Sequence, residues 1–159
     1  MVKVDGEPHA MVREFKTRVA KVGDLLNRHK VRYLIVGAEA CNVHGLVRGT
    51  KDVDVLLEKF KENVEKALQA LSQLTFGVAK EFSAEEILAK PLSIIGDNPR
   101  VDILFKAGNL KYESAQADFF VVEVEGVRIP FAGLQDLILS KQTERTKDKA
   151  DLEVLEQLL

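Results

Sequence analysis

Apolar and polar residues alternate along this chain with two periods, and the switches between them mark its elements. From about residue 9 to residue 30, Met11, Phe15, Val19, Val22, Leu25 and Leu26 recur at helical spacing, with Lys16, Arg18, Lys21 and Arg28 largely off that stripe. That pattern predicts an amphipathic N-terminal helix, preceded by a polar, loose segment over residues 1–8. The β-branched run from Val31 to Val36 ends at Gly37 and suits a buried strand. A helix over residues 38–44 follows, stopped near Gly45, and a second strand runs over residues 51–57. Residues 60–74 place Phe60, Val64, Ala67, Leu68 and Leu71 on one side of another amphipathic helix. A short strand is expected over residues 75–79, and Ser83 with Glu86 forms a capping-box pattern for a brief helix through Ala89.

The second half continues the alternation. Residues 92–95 read as a strand, Gly96-Asp97-Asn98-Pro99 as a turn, and residues 100–105 as the next strand. Gly126 turns a strand over residues 119–125 into another over residues 127–130, a hairpin pattern. Helices over residues 134–143 and 149–159 close the chain. No repeat, low-complexity tract or linker interrupts it. One α/β (α+β) domain over residues 1–159 is expected, a mixed central sheet flanked by helices with two helices at the C-terminal end.

Composition narrows the setting. With 46% hydrophobic and 30% charged residues, the 159-residue chain has the make-up of an ordinary globular protein. A net charge of -2 gives no global nucleic-acid footprint. Cys41 is the only cysteine, so an internal disulfide is excluded and a reducing, cytoplasmic setting is expected. No apolar run is long enough to span a membrane, and the N-terminus lacks a signal-peptide core.

The chemistry begins at Asp52 and Asp54. Residues two apart in a strand project from one face, so these acids share a space while Val53 packs behind them. Asp is disfavoured in strand interiors, and like charges a few Å apart repel by a few kcal/mol at an effective dielectric of about 20. A divalent cation is the simplest compensation. Asp102, set between Val101 and Ile103, is a third acid inside an expected strand. Three hard oxygen donors suit Mg²⁺ or Mn²⁺. Upstream, the Gly37 turn, with Ala38 next, opens a helix where backbone N–H groups can meet phosphate. Arg48, Thr50 and Lys51 bracket the approach to the acids. The plainer reading pairs Asp52 and Asp54 with Lys51 or Arg48 in a salt-bridged strand. His44 reads as a helix-end residue and Cys41 as a helix-to-sheet packing residue.

Gly37-Ala38, Arg48-Gly49-Thr50-Lys51-Asp52-Val53-Asp54 and Val101-Asp102-Ile103 together resemble the nucleotidyltransferase superfamily with the DNA polymerase β-like fold. The tail, Leu134-Gln-Asp-Leu-Ile with Lys141, Arg145, Lys147-Asp148 and Asp151, looks like the ending of small bacterial members of the AbiEii and MNT type, toxins of toxin–antitoxin systems. The resemblance implies metal binding and catalysis by Asp52, Asp54 and Asp102, with Asp102 also the base toward an acceptor hydroxyl. It implies nucleotide contacts from Gly37, Ala38, Arg48, Thr50, Lys141 and Arg145. The implied reaction moves a nucleoside monophosphate from an NTP, with Mg²⁺ or Mn²⁺, onto tRNA, a protein or a small molecule, and an antitoxin is the implied partner. Ala38 stands where the family usually has Gly or Ser, so a catalytically degenerate binding module of the same fold is the alternative.

Overall fold

The computed structural model describes residues 15–46, 48–96, 98–115, 119–142 and 146–159, with backbone alone at residues 75, 76, 146 and 147. Helix α1 (Arg18–Arg28) starts later than its apolar stripe suggests. Thr17 caps it, accepting from Ala20 N–H through Oγ1. The Glu125 carboxylate in turn accepts from the backbone N–H of Lys16 and Thr17 and from the Thr17 hydroxyl, at 2.7–2.9 Å. That clamp holds residues 16 and 17 outside the helix, so the described helix begins at Arg18; the part of the expected helix over residues 9–14 lies outside the described residues. Glu125 sits at the tip of a two-residue hairpin turn, where it and Gly126 both adopt positive φ (50° and 81°), the geometry that matches strand twist.

Strand β1 (Tyr33–Val36) runs directly into α2 (Gly37–Val43), and β2 (Asp52–Leu57) returns antiparallel to β1. Helix α3 (Lys61–Leu71) buries Val64, Ala67, Leu68 and Leu71 as its pattern predicts, but Phe60, expected on the same side, is the N-cap residue just outside it and is exposed. The strand expected over residues 75–79 is instead a 3₁₀ helix, Thr75–Glu81. Gly77 is at φ +74°, which breaks an extended run, and its N–H donates to Leu74 O. The Ser83–Glu86 capping box forms in full and starts α4 (Ala84–Leu88). After β3 (Leu92–Ile95) and β4 (Arg100–Leu104) comes α5 (Tyr112–Ala115), a single turn the sequence reading missed; it buries Tyr112 and Ala115 three residues apart. The hairpin is β5 (Phe119–Val124) and β6 (Val127–Ala132), and α6 (Leu134–Ser140) and α7 (Thr146–Gln157) end the chain.

The six strands make one mixed sheet in the order β3-β4-β2-β1-β6-β5. β2 pairs parallel with β4, and β1 parallel with β6; the other pairs are antiparallel. The architecture is therefore α/β with a mixed central sheet flanked by helices. Among the described residues no helix is long and apolar enough to cross a membrane.

One buried amide ties the sheet to α3. Asn63 accepts from Arg32 N–H (2.7 Å) and donates to Arg32 O (2.9 Å) and Glu58 O (3.0 Å), joining the approach to β1 and the exit from β2. Removing it takes the side-chain partner from Arg32 N–H and Glu58 O, while Arg32 O still accepts from Glu58 N–H at 3.2 Å. Asn63→Ala is expected to lower unfolding free energy by about 2 kcal/mol, read as a fall in urea midpoint with an unchanged slope.

Candidate active site

Strand alternation and register build this site. Val53 and Val55 of β2 and Val101 and Ile103 of β4 are buried in the core, so Asp52, Asp54, Arg100 and Asp102 share the opposite face. Parallel pairing sets Asp52 opposite Arg100 and Asp54 opposite Asp102. On the other side of β2, Val36, the last residue of β1, lies opposite Asp54. The carboxylates therefore gather where β1 gives way to α2.

Gly37, the first residue of α2, is at φ +71°, and a Cβ there would stand 2.0 Å from Asp54 Oδ2. Both conformation and space demand glycine. Ala38 is half-buried beside it. Glu39 turns away: it lines a cavity of about 600 Å³ with Arg18, Lys21, Arg48 and Thr50 among its walls. Burial pushes the Glu39 carboxyl up, and the nearby Arg18 charge pulls it back. A second cavity, of about 290 Å³, is lined by Gly37, Asp54, Asp102, Leu104, Lys106 and Lys141 among others. It brings the glycine turn, two of the three acids and the α6-terminal lysine together.

Charge in this cavity is finely divided. Burial raises the Asp54 carboxyl first, then repulsion from Asp102 and Asp52; Lys141 and Arg100 oppose, and the group is pushed up to about 6. Asp102 is buried but answered: Arg100 Nε donates to its Oδ1 at 2.8 Å and the terminal nitrogen Nη2 to its Oδ2 at 3.2 Å. The same Arg100 Nε lies 3.7 Å from Asp52 Oδ2. The salt-bridged reading of the strand is thus realised in part, with a partner it did not name. Arg100 was findable, since Arg100 and Asp102 obey the same i, i+2 rule as Asp52 and Asp54.

The remaining expected contacts divide. Lys141, at the end of α6, is buried against Asp148 (3.4 Å) and Asp151 (3.1 Å). Arg48 bonds Asp151 from the β2 approach. Two cations and two acids thus link three parts of the chain, so Lys141 brings little net positive charge to the cavity. Arg48 and Thr50 line the larger cavity rather than the one holding Asp54 and Asp102. Thr50 Oγ1 donates to Asp52 O and accepts from Asp52 N–H, fixing the start of β2. Arg145 lies outside the described residues. His44 caps α2, its Nε2–H donating to Ala132 O (2.8 Å) and its ring 4.8 Å from that of Phe120; Cys41 is buried.

Among the described residues no set of three His, Cys, Asp or Glu side chains is gathered so as to hold a metal ion. Arg100 lies across the acids instead. Mg²⁺, however, is ordinarily held by one or two carboxylates while substrate phosphates and waters complete its shell. The pair of half-buried Asp54 and buried Asp102, with the Asp54 carboxyl lifted by burial and by its acidic neighbours, fits that mode.

No family model matches the chain, and no curated protein matches it. A solved structure from Thermotoga maritima, described as a "putative nucleotidyltransferase", shares 15% identity over 86% of this chain and 83% of its own, with a TM-score of 0.49. Likeness at that level carries no argument from that protein to this one.

Two outcomes follow from the geometry. A carboxyl raised from 3.8 to about 6 in the folded state contributes stability below about pH 4 that is lost as pH rises through about 6. Asp54→Asn should therefore be more stable than the parent at pH 7.5, by ~1–3 kcal/mol, with the difference vanishing near pH 4 in urea titrations. Gly37→Ala should destabilise at every pH, by more than the ~1–2 kcal/mol of left-handed strain alone, because the added methyl also displaces the Asp54 carboxylate.

Proposed function

We propose that this chain is a metal-dependent nucleotidyltransferase, moving a nucleoside monophosphate from an NTP onto a hydroxyl or phosphate acceptor. The observation that carries the reading is the pairing of Asp54 with Asp102 on adjacent parallel strands, in one cavity with the Gly37 turn and Lys141. Asp54 and Asp102 would hold Mg²⁺ or Mn²⁺, with Asp52 in reach on the same face. A bound cation supplies charge neutralisation on the phosphates of the NTP and its leaving pyrophosphate.

The rest falls to the chain's own groups. The absence of a Cβ at Gly37 lets phosphate oxygens approach the backbone beside Asp54. The Lys141 ammonium, fixed by Asp148 and Asp151, faces the same cavity. Asp102 takes the proton of the acceptor hydroxyl as its oxygen bonds the α-phosphorus and the bond to the β-phosphate bridging oxygen breaks. Positioning and electrostatic complementarity supply most of the rate. The sequence resemblance extends the proposal to an acceptor on tRNA, a protein or a small molecule, and to a toxin-like role with an antitoxin partner.

A second reading, a non-catalytic nucleotide-binding module, draws on one specific observation: Arg100 occupies Asp102 through both its oxygens. Incubation with each α-labelled NTP, Mg²⁺ and cell extract separates the two. Transfer of label to an acceptor, reduced at least ~100-fold in Asp54→Asn and Asp102→Asn, supports catalysis. Stabilisation by NTP that ignores both Mg²⁺ and Asp54, with no label transferred, supports the module instead.

A further inference from the structure

Arg100 is a charged side chain to which the sequence reading gave no role, and it contacts two of the three carboxylates, Asp102 and Asp52. Its register partner is Asp52 and its hydrogen-bonded partner is Asp102, two residues along its own strand. Its side chain is 39% exposed and that of Asp102 11%, so the guanidinium covers the acid from the solvent side. A cation cannot take both oxygens of Asp102 while the planar fork of Arg100 holds them.

We propose that Arg100 exchanges partners: it neutralises Asp102 in the empty site and turns to phosphate when a divalent cation and a polyphosphate enter together. The inference takes from the proposed function only that such a pair shares this cavity. An incoming cation alone must break the ion pair and leave Arg100 without an anion. A cation arriving with a polyphosphate replaces that anion, because a guanidinium fork suits phosphate oxygens as well as carboxylate. The half-exposed side chain can swing outward without disturbing Val101 or Ile103, which anchor β4 from the buried face. Cation and polyphosphate binding become positively coupled, and coupling between two ligands is reciprocal. The same ion pair accounts for the carboxylates tolerating one another before any ligand arrives.

Mn²⁺ binding to the full chain, followed by the electron paramagnetic resonance signal of the free ion, examines the first half. Arg100→Gln should bind Mn²⁺ on the order of tenfold tighter than the parent in the absence of nucleotide. Arg100→Lys, which keeps the charge but not the fork, should fall between, and Asp102→Asn should lose most of the binding. Fluorescence anisotropy of a labelled, non-hydrolysable ATP analogue examines the second half. Mg²⁺ should tighten its binding several-fold more in the parent than in Arg100→Gln. Equal Mn²⁺ affinity in the parent and a folded Arg100→Gln, checked by circular dichroism, overturns the proposal, as does an unchanged effect of Mg²⁺ on the analogue. Should both results hold while the parent transfers no label, the transferase reading fails and the exchange stands.

Discussion

Asp54 beside Asp102, on neighbouring parallel strands, is the constraint to which the rest of this molecule answers. Paired residues on adjacent strands lie about 5 Å apart, where two unit charges repel by about 3 kcal/mol at an effective dielectric of 20. Burial adds to that cost by removing water. The fold meets it locally and asymmetrically. Arg100 takes Asp102 with two hydrogen bonds, and Asp54 is left to bear the rest as a raised carboxyl. Gly37 then has to be glycine, because the Asp54 carboxylate fills the space its side chain would need.

The strain is held in place by the apolar side of the same strands. Val53, Val55, Val101 and Ile103 are essentially inaccessible to water, and burying each contributes roughly 1.5–3 kcal/mol. A one-residue slip of β2 against β4 would turn Val53 and Val55 toward water and Asp52 and Asp54 into the core. The carboxylate pairing is therefore secured by hydrophobic register rather than by any interaction among the acids. A site built this way stores unfavourable charge in a rigid frame, which a ligand of opposite charge can relieve.

How much of this could be read from the sequence follows from the range of each interaction. Local periodicity showed that Asp52 and Asp54 share a face, that Ser83 and Glu86 cap a helix, and that Gly126 turns a hairpin. The α/β class followed from the order of those segments. What local pattern could not supply was partnership across the sheet: that β4 lies beside β2, in the register that matches Asp102 with Asp54. Arg48 meeting Asp151, 103 positions later, is beyond any local rule. Residues 16 and 17 stand outside α1 because Glu125, from a distant hairpin, holds them, a contact no local pattern shows. The 3₁₀ turn at Gly77 was missed because a glycine at positive φ overrode a weak strand pattern.

Arg100 belongs to a different class, legible but unread. Its spacing from Asp102 places it on the acid face by the rule already applied to β2, yet a search for acids passes over a base. Its presence changes what the carboxylates mean. Without it, Asp102 would face Asp54 with no hydrogen-bonded cation of its own. With it, the acids are compensated internally, and a cation must compete for them. Competition of that kind disfavours the cation alone and favours it in company with an anion able to receive the arginine. Under the proposed exchange the site would favour the ion–polyphosphate complex over the bare ion, the selectivity that the proposed transfer calls for, since only that complex carries the group to be moved.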